Sequence, residues 1–99
     1  MVYKISQEAN LDIENIWLYT YKSWSLEQAD RYLNLIMDEV EYLAENPESG
    51  KDYGHLRKVY FRSRVKSHLI FYKINHKKEE IEIIRILHQR MDLESLLDE

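Results

Sequence analysis

The spacing of apolar and polar positions along the chain changes character twice, from helical to strand-like and back. Val2 to Ile5 is a short β-prone run. Ser6 follows it as a residue suited to cap a helix by accepting a backbone N–H, with Glu8 near the positive helix end. From about Gln7 to Trp24, the residues Ala9, Ile13, Ile16, Trp17, Thr20 and Trp24 recur on one side of a helical period, while Asp12, Glu14 and Asn15 fall elsewhere. This spacing predicts an amphipathic helix. Ser25-Leu26-Glu27-Gln28 reads as a capping box that opens a second helix, whose stripe is Leu26, Ala29, Leu33, Ile36, Val40 and Leu43. The short join predicts an antiparallel hairpin, with Trp17, Tyr19, Tyr21, Trp24 and Tyr32 assigned to its packing.

Asn46-Pro47-Glu48-Ser49-Gly50 ends the second helix, because the residue before Pro is pushed out of helical geometry and Gly permits a turn. Lys51 to Leu56 reads as a polar connection. Three β-like segments follow, at about Arg57 to Arg62, Ser67 to Asn75 and Glu80 to His88, with turns at Ser63 to Lys66 and His76 to Glu79. They predict an antiparallel meander. Met91 to Glu99 is a short final helix that either docks or frays. The expected fold is one α+β domain over residues 1–99, in the order β-α-α-β-β-β, with a helical hairpin packed on a small, mainly antiparallel sheet. In the second and third β segments both alternating faces are apolar: Ile70, Tyr72 and Ile74 on one side, Leu69 and Phe71 on the other. A single hairpin covers one face, so the other is expected to be covered by a partner.

Composition sharpens this picture in one respect. The net charge of -4 conceals a division: residues 1–50 hold 3 Lys+Arg against 10 Asp+Glu, whereas residues 51–91 hold 11 against 4. The middle of the second half therefore projects a positive field suited to an acidic partner. The absence of cysteine excludes disulfides, thiolate metal sites and a cysteine nucleophile. No apolar run is long enough to span a bilayer and the first residues lack the pattern of a signal peptide, so a cytoplasmic location and no membrane partner are expected.

Five blocks of the chain, in order, resemble the ParE branch of the RelE/ParE toxin superfamily. They are Tyr19-Thr20 with Trp24 and Gln28-Ala29; Tyr32-Leu33; Leu43-Ala44-Glu45-Asn46-Pro47-Glu48-Ser49-Gly50; His68-Leu69-Ile70-Phe71-Tyr72; and Ile83-Ile84-Arg85-Ile86-Leu87-His88-Gln89-Arg90-Met91-Asp92. Each is weak alone; together they are specific. Ser25 stands where the family often has Gly, and Lys51 where it often has Arg. The resemblance implies a toxin of a type II toxin–antitoxin system that inhibits DNA gyrase by protein binding and is neutralised by a cognate ParD-like antitoxin. The superfamily's other branch, ribosome-dependent mRNA endoribonucleases, is the alternative, as is a degenerate toxin that only binds its antitoxin.

A nuclease needs a base, cations for the phosphorane and an acid for the leaving oxygen, for which His88, Arg85, Arg64 and Glu45 are the nominees. No Tyr occurs after Tyr72 to serve the end of the last strand. No catalytic residue is therefore assigned, and no enzyme activity is expected. The four histidines at 55, 68, 76 and 88 lack the close spacing with carboxylates that a metal site requires, and no phosphate loop accompanies Gly50 and Gly54, so neither metal nor cofactor is expected. The residues assigned to target or antitoxin binding are Arg57, Lys58, Arg62, Arg64, Lys66, Arg85, His88 and Arg90. With a negative net charge, direct nucleic-acid binding is not called for.

Overall fold

Ser6 makes the first junction by two bonds from one hydroxyl. Its Oγ accepts from the Ala9 N–H at 3.0 Å, closing the helix start, and donates to the Ile84 carbonyl at 2.8 Å. The computed structural model describes residues 1–53 and 60–97. Strand β1 (Val2–Ile5) leads into α1 (Gln7–Ser23) and α2 (Leu26–Glu45), with Ser25 capping α2 by accepting from the Gln28 N–H. A 3-10 turn, Pro47–Ser49, then leads to β2 (Lys51–Asp52), β3 (Phe61–Val65), β4 (His68–Asn75), β5 (Glu80–His88) and α3 (Leu93–Leu97). The strands form one five-stranded sheet in the order β1-β5-β4-β3-β2. Only β1 runs parallel to its neighbour, because a helical hairpin rather than a turn separates it from the meander.

The expected α+β class and element order are observed, with one strand added. Lys51 and Asp52, read as connection, pair antiparallel with Arg62 and Phe61. A two-residue strand carries no periodicity of its own, so only its partner reveals it. Strand β3 also lies later than the expected 57–62 segment, much of which is outside the described residues. Phe61 stacks on Tyr72, Ser63 donates to Glu39 of α2, and Val65 is buried, so one face of β3 is held against the hairpin side to its last residue. The turn contracts to Lys66 and Ser67, with Lys66 in the left-handed region at φ 56°. Tight hairpin turns use that conformation.

Ala9 of α1 and Ile36, Val40 and Leu43 of α2 pack against Ile70, Tyr72, Ile81 and Ile83 to form the main core. Gly50 belongs to this packing for a steric reason. Its φ of -71° suits any residue, but a Cβ there would collide with the Tyr72 hydroxyl. That hydroxyl accepts from the Gly50 N–H at 3.0 Å and donates to the Pro47 carbonyl at 2.7 Å. The tyrosine ring thereby clamps the chain leaving α2 onto the sheet.

The opposite sheet face is not left to a partner, contrary to the expectation from its apolar alternation. Leu69, Phe71 and Leu87 are buried beneath Leu97 of α3, with Leu93, Leu96, Tyr53 and Tyr60 around them. The short final helix docks because its leucines meet an apolar face, which supplies the stability an isolated five-residue helix lacks. A second departure lies at the hairpin tip. Tyr19, Tyr21 and Trp24, assigned to packing, are exposed, because the last turn of α1 borders a cleft rather than the sheet.

Candidate binding surfaces

Beyond Ile5 the edge of β5 loses its strand partner, and α1 takes over. Asp12 accepts from Arg85 Nε at 2.8 Å and Nη2 at 3.0 Å, and from the Ile86 N–H at 2.9 Å. One carboxylate thus pairs a guanidinium and satisfies an edge N–H. The two side chains retain only 12% and 22% exposure, so solvent screens the pair weakly. Arg85, expected among the binding residues, is committed to this joint between α1 and β5.

The remaining expected residues divide among three places. Arg62 and Arg64 alternate onto the α3 side of the sheet, and β2 sets Lys51 directly opposite Arg62. Arg62 lies over the Tyr53 ring at 5.2 Å, and Arg64 donates to Gln89 Oε1 at 2.7 Å. Together Lys51, Arg62 and Arg64 line a shallow depression. These bonds hold two long cations extended over the surface, which lowers the entropy lost when they meet an acidic partner. Lys51 was missed because its strand was missed. Lys66 and His88 lie elsewhere, at the mouth between hairpin and sheet, while Arg90 is exposed beyond the end of β5. Arg57 and Lys58 lie outside the described residues.

At that mouth His68 and His88 face one another across β4 and β5, their rings edge to face at 5.2 Å. The Tyr32 hydroxyl meets His68 Nδ1 at 2.5 Å and lies 3.1 Å from the Val65 carbonyl. Burial, reinforced by the neighbouring His88, holds the His68 pKa down at about 4, and Asp12 offsets this only in part. His68 is therefore neutral at physiological pH. Burial pushes the Tyr32 hydroxyl upward, so it too stays neutral. His88 Nδ1 accepts from the Arg90 N–H at 3.1 Å, which leaves Nε2 as the proton-bearing nitrogen of its neutral ring.

A groove of about 390 Å³ runs between α1 and the end of β5, with Ile16, Tyr19, Ile86 and Met91 along an apolar wall and Asp12 and Asn15 at its side. Leu11 and Leu18 are also exposed on α1 but do not line this groove. The residues nominated for RNA cleavage do not converge. Arg64 is on the α3 side, His88 is at the hairpin mouth, Arg85 is held by Asp12, and Glu45 ends α2. Among the described residues no group of three or more His, Cys, Asp or Glu side chains is placed to hold a metal ion, and no helix is long and apolar enough to cross a membrane.

Comparison with known proteins adds family evidence to this geometry. The family model for the ParE toxin of type II toxin–antitoxin system, parDE, matches residues 3–93. Toxin ParE1 of Caulobacter vibrioides is 37% identical over 90 residues, covering 91% of each chain. Toxin ParE1 of Mycobacterium tuberculosis is 34% identical over 93% of each chain, and toxin ParE of Escherichia coli is 30% identical over 92% of this chain and 87% of that protein. A solved structure described as the chromosomal ParDE TA system from P. aeruginosa superimposes with a TM-score of 0.71 at 19% identity, covering 89% of this chain and 95% of that one.

Proposed function

The chain belongs to the ParE toxin family of type II toxin–antitoxin systems, and we propose that it acts by binding DNA gyrase, without catalysis, through the basic strip of Lys51, Arg62 and Arg64. The observation that carries this reading is the separation, among the described residues, of the strip from the histidines. Three cations share the α3 side of the sheet, while the histidines of β4 and β5 sit at the hairpin mouth. General acid–base catalysis needs a proton-transferring group within hydrogen-bond reach of the reacting atoms, and the described histidines are not beside these cations. Fixed positive charge also gives fast, salt-sensitive association with an acidic protein surface.

Neutralisation falls to a ParD-like antitoxin. An amphipathic segment laid along the groove between α1 and β5 would bury Ile16, Tyr19 and Met91. A partner that binds only the folded toxin raises its apparent stability by mass action, by about 2.7 kcal/mol at a hundred times the dissociation constant. Equilibrium binding of labelled toxin to purified gyrase tests the target assignment. Saturable binding that weakens with salt and is lost on reversing the three charges supports it. Binding indifferent to both contradicts it.

A further inference from the structure

The cleft at the hairpin mouth meets the antitoxin groove at Tyr19, but its Trp24, Arg31 and Lys66 serve neither gyrase nor antitoxin binding in the reading above. It encloses about 430 Å³, with Tyr19, Trp24 and Arg31 on the helical side and Lys66, His68 and His88 on the sheet side. That volume is within the usual range for a small-molecule site. Among the described residues no carboxylate lines it, although residues 1–50 are rich in acid. Two acids brought to its neighbourhood are turned to other partners: Asp12 to Arg85, and Asp30 to the Trp17 indole N–H at 3.0 Å. Tyr19 and Trp24 are 70% and 69% exposed, and so offer flat aromatic faces at the rim. His88 adds an N–H donor through Nε2, because its Nδ1 is occupied by the Arg90 N–H.

We propose that this cleft binds a nucleotide unit, its base stacked on Trp24 and its phosphate held by Arg31, Lys66 and the His88 Nε2–H. Flat aromatic faces beside cations are how proteins hold a nucleotide without reading its sequence. An inorganic anion would leave the indole unused, and an apolar helix would leave Arg31 and Lys66 unmatched. The overall charge of -4 hides such a site from composition, because none of the described acids lines the cleft. The unit comes either as a free nucleotide or as one residue of a single strand.

Titration of the full-length toxin alone, without antitoxin or gyrase, separates this proposal from the functional reading above. The probes are adenosine 5′-monophosphate and a short single-stranded adenylate RNA, followed by tryptophan fluorescence and by calorimetry. Saturable binding with quenching is expected for one or both. Equal affinity for the two probes identifies the free nucleotide as the source, and tighter binding of the oligomer identifies the strand. Trp24→Ala should remove the quenching and weaken binding roughly five-fold or more, the scale of one stacked base. Arg31→Gln with Lys66→Gln should weaken the monophosphate while leaving adenosine unaffected. All three positions are exposed, so folding should survive, as circular dichroism would verify. Absence of saturable binding by either probe, or binding that these variants leave unchanged, overturns the proposal.

Discussion

Replacing Asp12 by Ala removes a carboxylate that holds α1 to the end of β5. Two charge-assisted bonds to Arg85 and one bond to the Ile86 N–H are lost together, 73 and 74 residues away in sequence. Breaking a fully buried ion pair by removing one partner costs about 3–5 kcal/mol. Here the two side chains keep 12% and 22% exposure, so water partly rescues Arg85, and we expect a loss of about 2–4 kcal/mol. For a domain of this size that corresponds to a fall in melting temperature of roughly 10–20 °C. Urea unfolding followed by tryptophan fluorescence provides the measurement, with Arg85→Ala and the double variant completing a thermodynamic cycle. The coupling energy should exceed about 1 kcal/mol and change little with salt, because the pair is mostly buried. A loss below about 0.5 kcal/mol, or a coupling energy of zero, would refute the role assigned to this joint.

Three further outcomes follow from the packing and the hairpin mouth. Tyr72→Phe deletes the hydroxyl bonded to Gly50 and Pro47 and should cost about 1–3 kcal/mol in urea unfolding, while Gly50→Ala should destabilise by forcing the same ring away. Leu97→Ala, at a position only 3% exposed, should cost at least about 2 kcal/mol and increase dye binding to the uncovered sheet face; no change in either would mean that α3 does not seal that face. The depressed pKa of His68 gives a pH dependence of definite sign. The unfolded chain takes up a proton near 6.5 and the folded chain only near 4, so stability is retained above about 6.5 and falls as pH drops between these values. His68→Gln should flatten that slope in pH-dependent melting, and an unaltered slope would assign it to other groups.

How much was legible beforehand varied with the range of the interaction. The bounds of β5 follow from the turn at 76–79 and an apolar run, and both caps of the hairpin follow from a serine three residues before the N–H it accepts. Those signals are local. The Asp12–Arg85 joint had none: Asp12 read as a polar position off the helical stripe, and its partners lie across the whole chain. Lys51 entered the basic strip only through pairing with Arg62, and the docking of α3 depended on a face assembled from β4 and β5. Periodicity also misplaced Trp24, because it indicates which side of a helix is apolar but not where the neighbouring layer stops, and Tyr19 was assigned to packing only as a large aromatic. The family resemblance identified the chain's relatives but not how its cations divide between two faces.

Supercoiling of relaxed DNA by purified gyrase, titrated with this protein, tests the central claim most directly when messenger RNA integrity on ribosomes is followed in parallel. Inhibition should appear at concentrations comparable to the enzyme and disappear when Lys51, Arg62 and Arg64 are reversed to glutamate with the melting temperature retained. It should be relieved by the cognate antitoxin while the RNA stays whole. Undiminished supercoiling at saturating protein, together with cleaved messenger RNA, would contradict the account and place the chain with the ribosome-dependent nucleases.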